Sequence, residues 1–140
     1  MITFNNLDVS FKIVQKQRYR YWIKELLKSH DRFSCMINII LCSDSYILNL
    51  NRQYLRHDYC TDVITFDYSY LFSGNKVAGD IYISIDSVKY NAVRYGALSF
   101  EEELLRVIAH GILHIIGFND VTKDDKNLMR KYEDEAIRLF

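Results

Sequence analysis

Two histidines four residues apart, His110 and His114, have the clearest chemistry in the sequence. They lie in an apolar run that predicts a helix, where this spacing places both imidazoles on one face, one turn apart. A buried imidazole needs a polar partner, and one metal ion can serve two of them. Asp120 follows six residues after His114, beyond Gly117, which allows the chain to turn back towards the rings. We therefore predict that these three residues bind a metal ion.

The predicted ligands have the composition of a catalytic zinc site. Two nitrogens and one carboxylate oxygen leave the fourth position of a tetrahedral ion for water. Structural zinc sites are usually richer in cysteine, and Cys35, Cys42 and Cys60 are all distant in sequence. We predict one zinc ion per chain, and the carboxylate also suits other divalent metals. Two interpretations without a metal stay open: hydrogen-bonded core histidines, and an Asp120 that caps the next helix.

The spacing also allows a metallopeptidase. Metzincin proteases have HExxHxxGxxH, in which the ligands and the glycine are spaced as they are here. Those enzymes need a glutamate directly after the first histidine as the general base. This chain has Gly111 at that position, and glycine cannot accept a proton. A metallopeptidase is thus an alternative that rests on ligand spacing alone.

The elements around these residues predict an α+β fold, with a small mixed sheet of four strands and about five helices. The predicted strands are Ile2–Asn5, Ser34–Cys42, Thr61–Tyr70 and Val77–Ile85, the last two as a hairpin. The predicted helices are Gln15–His30, Asp44–Leu55 behind Ser43, Asp86–Tyr95 before Gly96, the run from Ser99 to Gly117, and the run from Thr122 to about Leu139. Apolar residues on nearly all sides of the helix before Gly117 predict that it is central and buried.

Length and composition predict a single domain over residues 1–140. A hydrophobic content of 49% and the absence of proline exclude disordered and collagen-like classes. No apolar run reaches the ~20 residues of a membrane span, and the first residues have no export signal. The three cysteines form no CxxC pair, so we expect reduced thiols and a cytoplasmic protein.

Charge is unevenly distributed, although the net charge is zero. Residues 1–60 have nine basic and five acidic side chains, and residues 61–140 have nine and thirteen. Much of the positive excess lies between Lys12 and Arg32. It predicts either a solvated helix face or a local basic patch.

The run from His110 to Asp120, HGILHIIGFND, resembles HGxLHxxGyxH, the motif of the YbeY-type rRNA maturation factors. The resemblance extends over roughly two-thirds of the chain and includes Leu50-Asn51, Tyr54, Asp58, Thr61-Asp62-Val63, Phe66, Gly79-Asp80-Ile81, Ile83-Ser84, Glu103-Leu104, Met129 and Glu133. Asp120 departs from the family, which usually has histidine as third ligand. The family also tends to have arginine directly after the tyrosine of its central block, where this chain has Leu55 and then Arg56. Asp67 replaces a family proline.

The resemblance implies a metal-dependent, single-strand-specific endoribonuclease that acts in 16S rRNA 3′ end processing and ribosome quality control. It implies His110, His114 and Asp120 as metal ligands, His114 also as a catalytic residue, and rRNA, the ribosome or ribosomal proteins as partners. Arg56 is the candidate for stabilising phosphate charge, and His57 for a second substrate contact; both are also compatible with ordinary loop residues. A non-catalytic, metal-stabilised assembly factor stays an alternative, because Arg56 is shifted and no general base is evident.

Overall fold

The computed structural model describes residues 1–56, 61–94 and 99–140. Its strands are β1 (Ile2–Asn6), β2 (Phe33–Cys42), β3 (Val63–Asp67) and β4 (Lys76–Ser84). Its α-helices are α1 (Lys16–Ser29), α2 (Asp44–Leu50), α3 (Ile85–Arg94), α4 (Phe100–Ile116) and α5 (Lys123–Arg138). Within these ranges, the predicted fold class of four strands and five helices is confirmed.

The four strands form one mixed sheet in the order β1-β2-β4-β3. Strands β1, β2 and β4 are parallel, and β3 is antiparallel to β4. The antiparallel pair is the predicted hairpin, and its connection includes Gly74 with a φ of 72°, a conformation that glycine adopts without a steric penalty. Val63 pairs with Ile83 and Thr65 with Ile81, which places the start of β3 beside the end of β4.

Helix α4 lies at the centre and packs against β3, β4, α1, α3 and α5. It begins after Ser99, whose hydroxyl accepts a hydrogen bond from the Glu102 N–H at 3.1 Å. It ends at Gly117, which has a φ of 118°. Gly111 approaches the sheet so closely that a Cβ atom there would lie 2.7 Å from Cγ2 of Ile81. Helix–sheet packing therefore requires glycine where a metzincin would have its general base.

The prediction of one helix over Asp44–Leu55 is wrong in its second half. Helix α2 ends at Leu50, and Asn51–Leu55 form one π-helical turn. Arg56 ends this turn with a φ of 56°, and its N–H donates to the Asn51 carbonyl. The side-chain pattern is compatible with either kind of helix. Asn51, the first residue of this turn, is buried, and single π-helical turns occur frequently at functional sites.

Other local predictions are confirmed where the structure describes them. The apolar face predicted for α1 is buried and consists of Tyr19, Trp22, Ile23, Leu26 and Leu27. Thr122 and Asp125 form a capping box at the start of α5. Cys42 is a buried free thiol, whereas Cys60 and the predicted helix end at Gly96 lie outside the described residues. No helix within the described ranges is long and apolar enough to cross a membrane.

Candidate metal centre

The structure brings together the three residues that the sequence predicts as ligands. His110 and His114 lie in the last two turns of α4, and Asp120 lies in the loop that leads to α5. The two Nε2 atoms are 2.9 Å apart. Oδ2 of Asp120 is 3.3 Å from Nε2 of His110 and 3.4 Å from Nε2 of His114. One ligand atom of each residue therefore reaches a common point, as a metal site requires.

The other nitrogen of each ring is bound to a protein acceptor. Nδ1 of His110 is 2.7 Å from Oε2 of Glu133, and Nδ1 of His114 is 2.9 Å from the Phe118 carbonyl oxygen. A carbonyl and an ionised carboxylate can only accept, so each Nδ1 has to donate and each neutral ring presents a lone pair on Nε2. Two lone pairs and the Asp120 carboxylate then face one another without a donor. A cation satisfies all three, so these residues fit a metal ion.

The two imidazoles have opposite shifts in pKa, although they are neighbours. Burial lowers the pKa of His110, but the hydrogen bond and charge of Glu133 outweigh this effect, so its pKa lies above the ordinary value. Burial and the adjacent His110 both lower the pKa of His114. The opposite directions follow from the different neighbours of the two rings, an acidic Glu133 for His110 and the basic His110 for His114.

Glu133 contacts the candidate ligand His110, and no role was predicted for it from the sequence. It is 5% exposed, and its Oε1 accepts a hydrogen bond from Nη1 of Arg106 at 2.9 Å. Nη2 of the same guanidinium donates to Oδ1 of Asp134 at 2.7 Å. The buried stripe of α5 consists of Met129, Glu133 and Ala136. A carboxylate on such a stripe requires a buried partner, and this was the available clue in the sequence.

A cleft of about 430 Å³ opens at the candidate ligands, and its wall includes Leu55 and Asp62. Arg56, the predicted phosphate contact, follows Leu55 directly and is exposed. Within the described part of the chain, Arg56 is not one of the residues that line this cleft. His57, the second predicted substrate contact, lies outside the described residues.

Two arginines of α1, which belong to the basic stretch between Lys12 and Arg32, form hydrogen bonds to backbone carbonyls of the protein itself. Nη2 of Arg18 donates to the Phe140 carbonyl at 2.7 Å, and Nε of Arg20 donates to the Ile2 carbonyl at 2.9 Å. The guanidinium of Arg18 also lies over the ring of Phe140, and that of Arg20 over the ring of Phe4. These contacts favour a structural role for both arginines over RNA binding.

Comparison with known proteins agrees with the motifs over nearly the whole chain. The family model described as Endoribonuclease YbeY matches residues 3–140. The chain belongs to this family. A relative named Endoribonuclease YbeY from Flavobacterium psychrophilum is 45% identical over 140 residues, which are 100% of this chain and 96% of the relative. Another of that name, from Bacteroides thetaiotaomicron, is 40% identical over 138 residues, 99% of this chain and 98% of the relative.

A solved structure is similar as well. The solution structure of a Thermotoga maritima protein has a TM-score of 0.63 and 31% sequence identity, and the match covers 97% of this chain and 89% of that chain. The predicted family is therefore confirmed, and with it the predicted enzyme class, since the family is named as an endoribonuclease.

Proposed function

We propose that this chain is a metal-dependent endoribonuclease that cuts single-stranded RNA in rRNA maturation, including the 3′ end of 16S rRNA, and in ribosome quality control. One zinc ion would bind to His110, His114 and Asp120. The observation that supports this most is the convergence of their three acceptor atoms at a cleft, in a chain of the Endoribonuclease YbeY family. Residues 1–140 would form one endoribonuclease domain that acts in the cytoplasm, with the ribosome or its proteins as partners.

A divalent ion in such a site supplies Lewis-acid stabilisation of the negative charge that develops during phosphodiester cleavage. The protein's own contribution is to orient the ligands. Glu133 and the Phe118 carbonyl fix the two rings so that both Nε2 atoms point to the same place. Asp120 provides an anionic oxygen where the family motif usually has a neutral imidazole. The net charge of the centre is therefore lower, and harder metals such as Mn²⁺ become suitable alongside zinc.

Arg56 and His57 complete the proposal as substrate contacts. Arg56 directly follows Leu55, which lines the cleft, and it is exposed. Its guanidinium has the fork of N–H donors that matches a phosphate group. His57 is the next residue along the chain and would contact the same part of the substrate.

A metallopeptidase is less well supported than a nuclease. The position after the first histidine is Gly111, and the space that a side chain would need there is filled by Ile81. The centre thus has no glutamate at the place from which a metzincin activates water.

The test is cleavage of a single-stranded rRNA fragment by zinc-loaded protein. We expect the wild type to cut, and His114→Ala and Asp120→Ala to lose both bound zinc and cleavage, because each removes a ligand. The matched control is Asp124→Ala, which removes an exposed carboxylate four residues from Asp120 and is expected to cut like the wild type. Zinc content and circular dichroism are measured on every protein to show that each one is folded.

Cleavage by His114→Ala at the wild-type rate would contradict the proposal. Absence of cleavage by wild-type protein with zinc confirmed would contradict it as well, and would favour the non-catalytic assembly factor. For that alternative, removal of the metal should unfold the protein, and the metal-loaded protein should bind rRNA without cutting it.

A further inference from the structure

The cleft at the candidate metal centre contains a second carboxylate besides that of Asp120. Among the described residues that line this cleft, Asp62 is the second carboxylate, and the others outside the three candidate ligands are uncharged. Asp62 and His110 also line an adjoining cleft of about 440 Å³. The two clefts thus meet at these two residues, so Asp62 lies beside the place where RNA would be cut under the proposed function.

The backbone holds Asp62 in a defined position at the start of β3. The carbonyl oxygen of Asp62 accepts a hydrogen bond at 2.9 Å from the N–H of Ser84, the last residue of β4. The backbone N–H groups of Asp62 and Val63 donate hydrogen bonds to the carboxylate itself. Helix α4, which carries His110, packs on both β3 and β4. The carboxylate therefore has the fixed position that a catalytic group requires.

The surroundings of Asp62 make its carboxylate a better proton acceptor. Asp62 is half-buried, and burial raises its pKa by more than the charge of His110 and the two backbone hydrogen bonds lower it. The negative charge of Glu133 raises this pKa as well. The other charged side chains that line the adjoining cleft are Glu103, Arg106 and Arg130. A carboxylate with a raised pKa is a stronger base than an ordinary aspartate.

Asp62 lies beside the candidate ligands without belonging to them. One ligand atom each of His110, His114 and Asp120 lies within 4.8 Å of the others, and Asp62 is not part of this group among the described residues. Metalloproteases with the HExxH motif have the same relation between a metal and a carboxylate, since their glutamate is a general base and not a ligand. Helix α4 has Gly111 at that position. Asp62 places a carboxylate at the centre from the sheet instead.

We propose that Asp62 is the general base of the cleavage reaction. This inference rests on the proposed function. The Asp62 carboxylate takes a proton from the water molecule that attacks phosphorus. A bond forms between the water oxygen and phosphorus, and the bond from phosphorus to the leaving oxygen breaks. The leaving oxygen takes a proton from solvent, and Asp62 afterwards releases its proton to solvent, so atoms and charge balance.

The first experiment measures single-turnover cleavage of a single-stranded rRNA fragment by zinc-loaded Asp62→Asn. The dependence of the rate on protein concentration gives the RNA affinity and the maximal rate separately. We expect the maximal rate to fall about 10²–10⁴-fold, because the amide cannot accept the proton. Zinc content and RNA affinity should remain those of the wild type. The matched control is Asp67→Asn, which makes the same change at the exposed end of β3 and should cut like the wild type.

A wild-type maximal rate in folded, zinc-loaded Asp62→Asn would overturn the inference. A loss of zinc would overturn it as well, because Asp62 would then be a ligand or support one. A loss of RNA affinity at an unchanged maximal rate would show an RNA contact instead of a base. If Asp62→Asn does not fold, Asp62→Ser provides the second test, since its hydroxyl can accept a backbone hydrogen bond and the same loss of maximal rate is expected.

A second substrate separates a base from an acid. In this RNA, sulfur replaces the leaving oxygen at the bond that the wild type cuts, so the leaving group departs without a proton. The loss in Asp62→Asn should persist on this substrate, because Asp62 acts on the attacking water. Equal cleavage of it by Asp62→Asn and wild type would assign Asp62 to the leaving group and overturn the inference. Cleavage by the wild type and Asp62→Asn alike contradicts this inference alone, whereas a wild type that cuts no RNA contradicts the proposed function and the inference together.

Discussion

The two sides of helix α4 differ in how completely their side chains are satisfied. On the apolar side, Ile108 and Ile112 are 0% exposed, and Gly111 is in close contact with the sheet. On the polar side, the Nε2 atoms of His110 and His114 lie 2.9 Å apart, and with a carboxylate oxygen of Asp120 they form a group that could hold a metal ion. The apolar side is packed for stability, and the polar side presents ligand atoms that could hold a metal ion. Substitutions on the apolar side should therefore change stability, whereas substitutions on the polar side should change zinc affinity.

The largest effect, on the free energy of unfolding, is expected from a substitution on the apolar side of α4. Ile108→Ala removes a fully buried side chain and leaves a cavity, so it should lower the free energy of unfolding by about 2–5 kcal/mol. Urea denaturation measures this change. Zinc affinity, measured at urea concentrations well below the unfolding transition, should remain that of the wild type. An equal loss of zinc affinity in this variant would show that the two sides are not independent.

A smaller effect, on zinc affinity, is expected when the hydrogen-bond partner of His110 on the polar side is replaced. Glu133→Gln removes the carboxylate that receives the Nδ1 proton, so zinc affinity should fall about 10–100-fold in competition with a chelator. Nitrogen NMR of the imidazole should also show a changed His110 tautomer.

The control for this variant is Asp134→Asn. It removes the other carboxylate bound to Arg106 but does not contact His110. If both variants lost zinc affinity to the same extent, the role of Glu133 would be general packing of α5 and not the orientation of a ligand.

The smallest effect, on thermal stability, is expected from a substitution outside α4, at the start of α5. The hydrogen bond from the Thr122 N–H to the Asp125 carboxylate lowers the pKa of Asp125 from its ordinary value of 3.8. A carboxyl group with a lowered folded-state pKa stabilises the protein above its unfolded-state pKa, and this stabilisation disappears as the pH falls through the folded-state value. Asp125→Asn should thus reduce the thermal stability at pH 7 and have a vanishing effect in strong acid.

Thermal melts of Asp125→Asn and wild type between pH 2 and pH 7 measure this difference. Asp124→Asn removes the same charge from the same helical turn outside the capping box and should show a weaker dependence on pH. Zinc affinity at pH 7 should be unchanged in both variants. A loss of zinc affinity in Asp125→Asn would connect the capping box to the metal centre.

The sequence by itself determined the local features of this protein. The spacing of His110 and His114 places both rings on one helix face, and Gly117 ends that helix so that Asp120 can return to them. Caps such as Thr122 and Asp125 are also readable, because their hydrogen bonds join residues three positions apart. The motifs in order along the chain were sufficient for the family, and hydrophobic periodicity for most helices and strands.

Only the tertiary structure decided which distant residues meet. Glu133 reaches His110 across 23 positions because α5 packs on α4, and no local pattern encodes that contact. The π-helical turn that begins at Asn51 contributes Asn51 and Leu55 to the wall of the cleft at the metal centre, and helix periodicity did not predict it. A further cleft of about 440 Å³ beside the metal centre exists because Asp62, before β3, lies next to one face of α4. Local hydrogen bonds and periodicity are properties of neighbouring residues, whereas clefts and supporting contacts come from how completed elements pack.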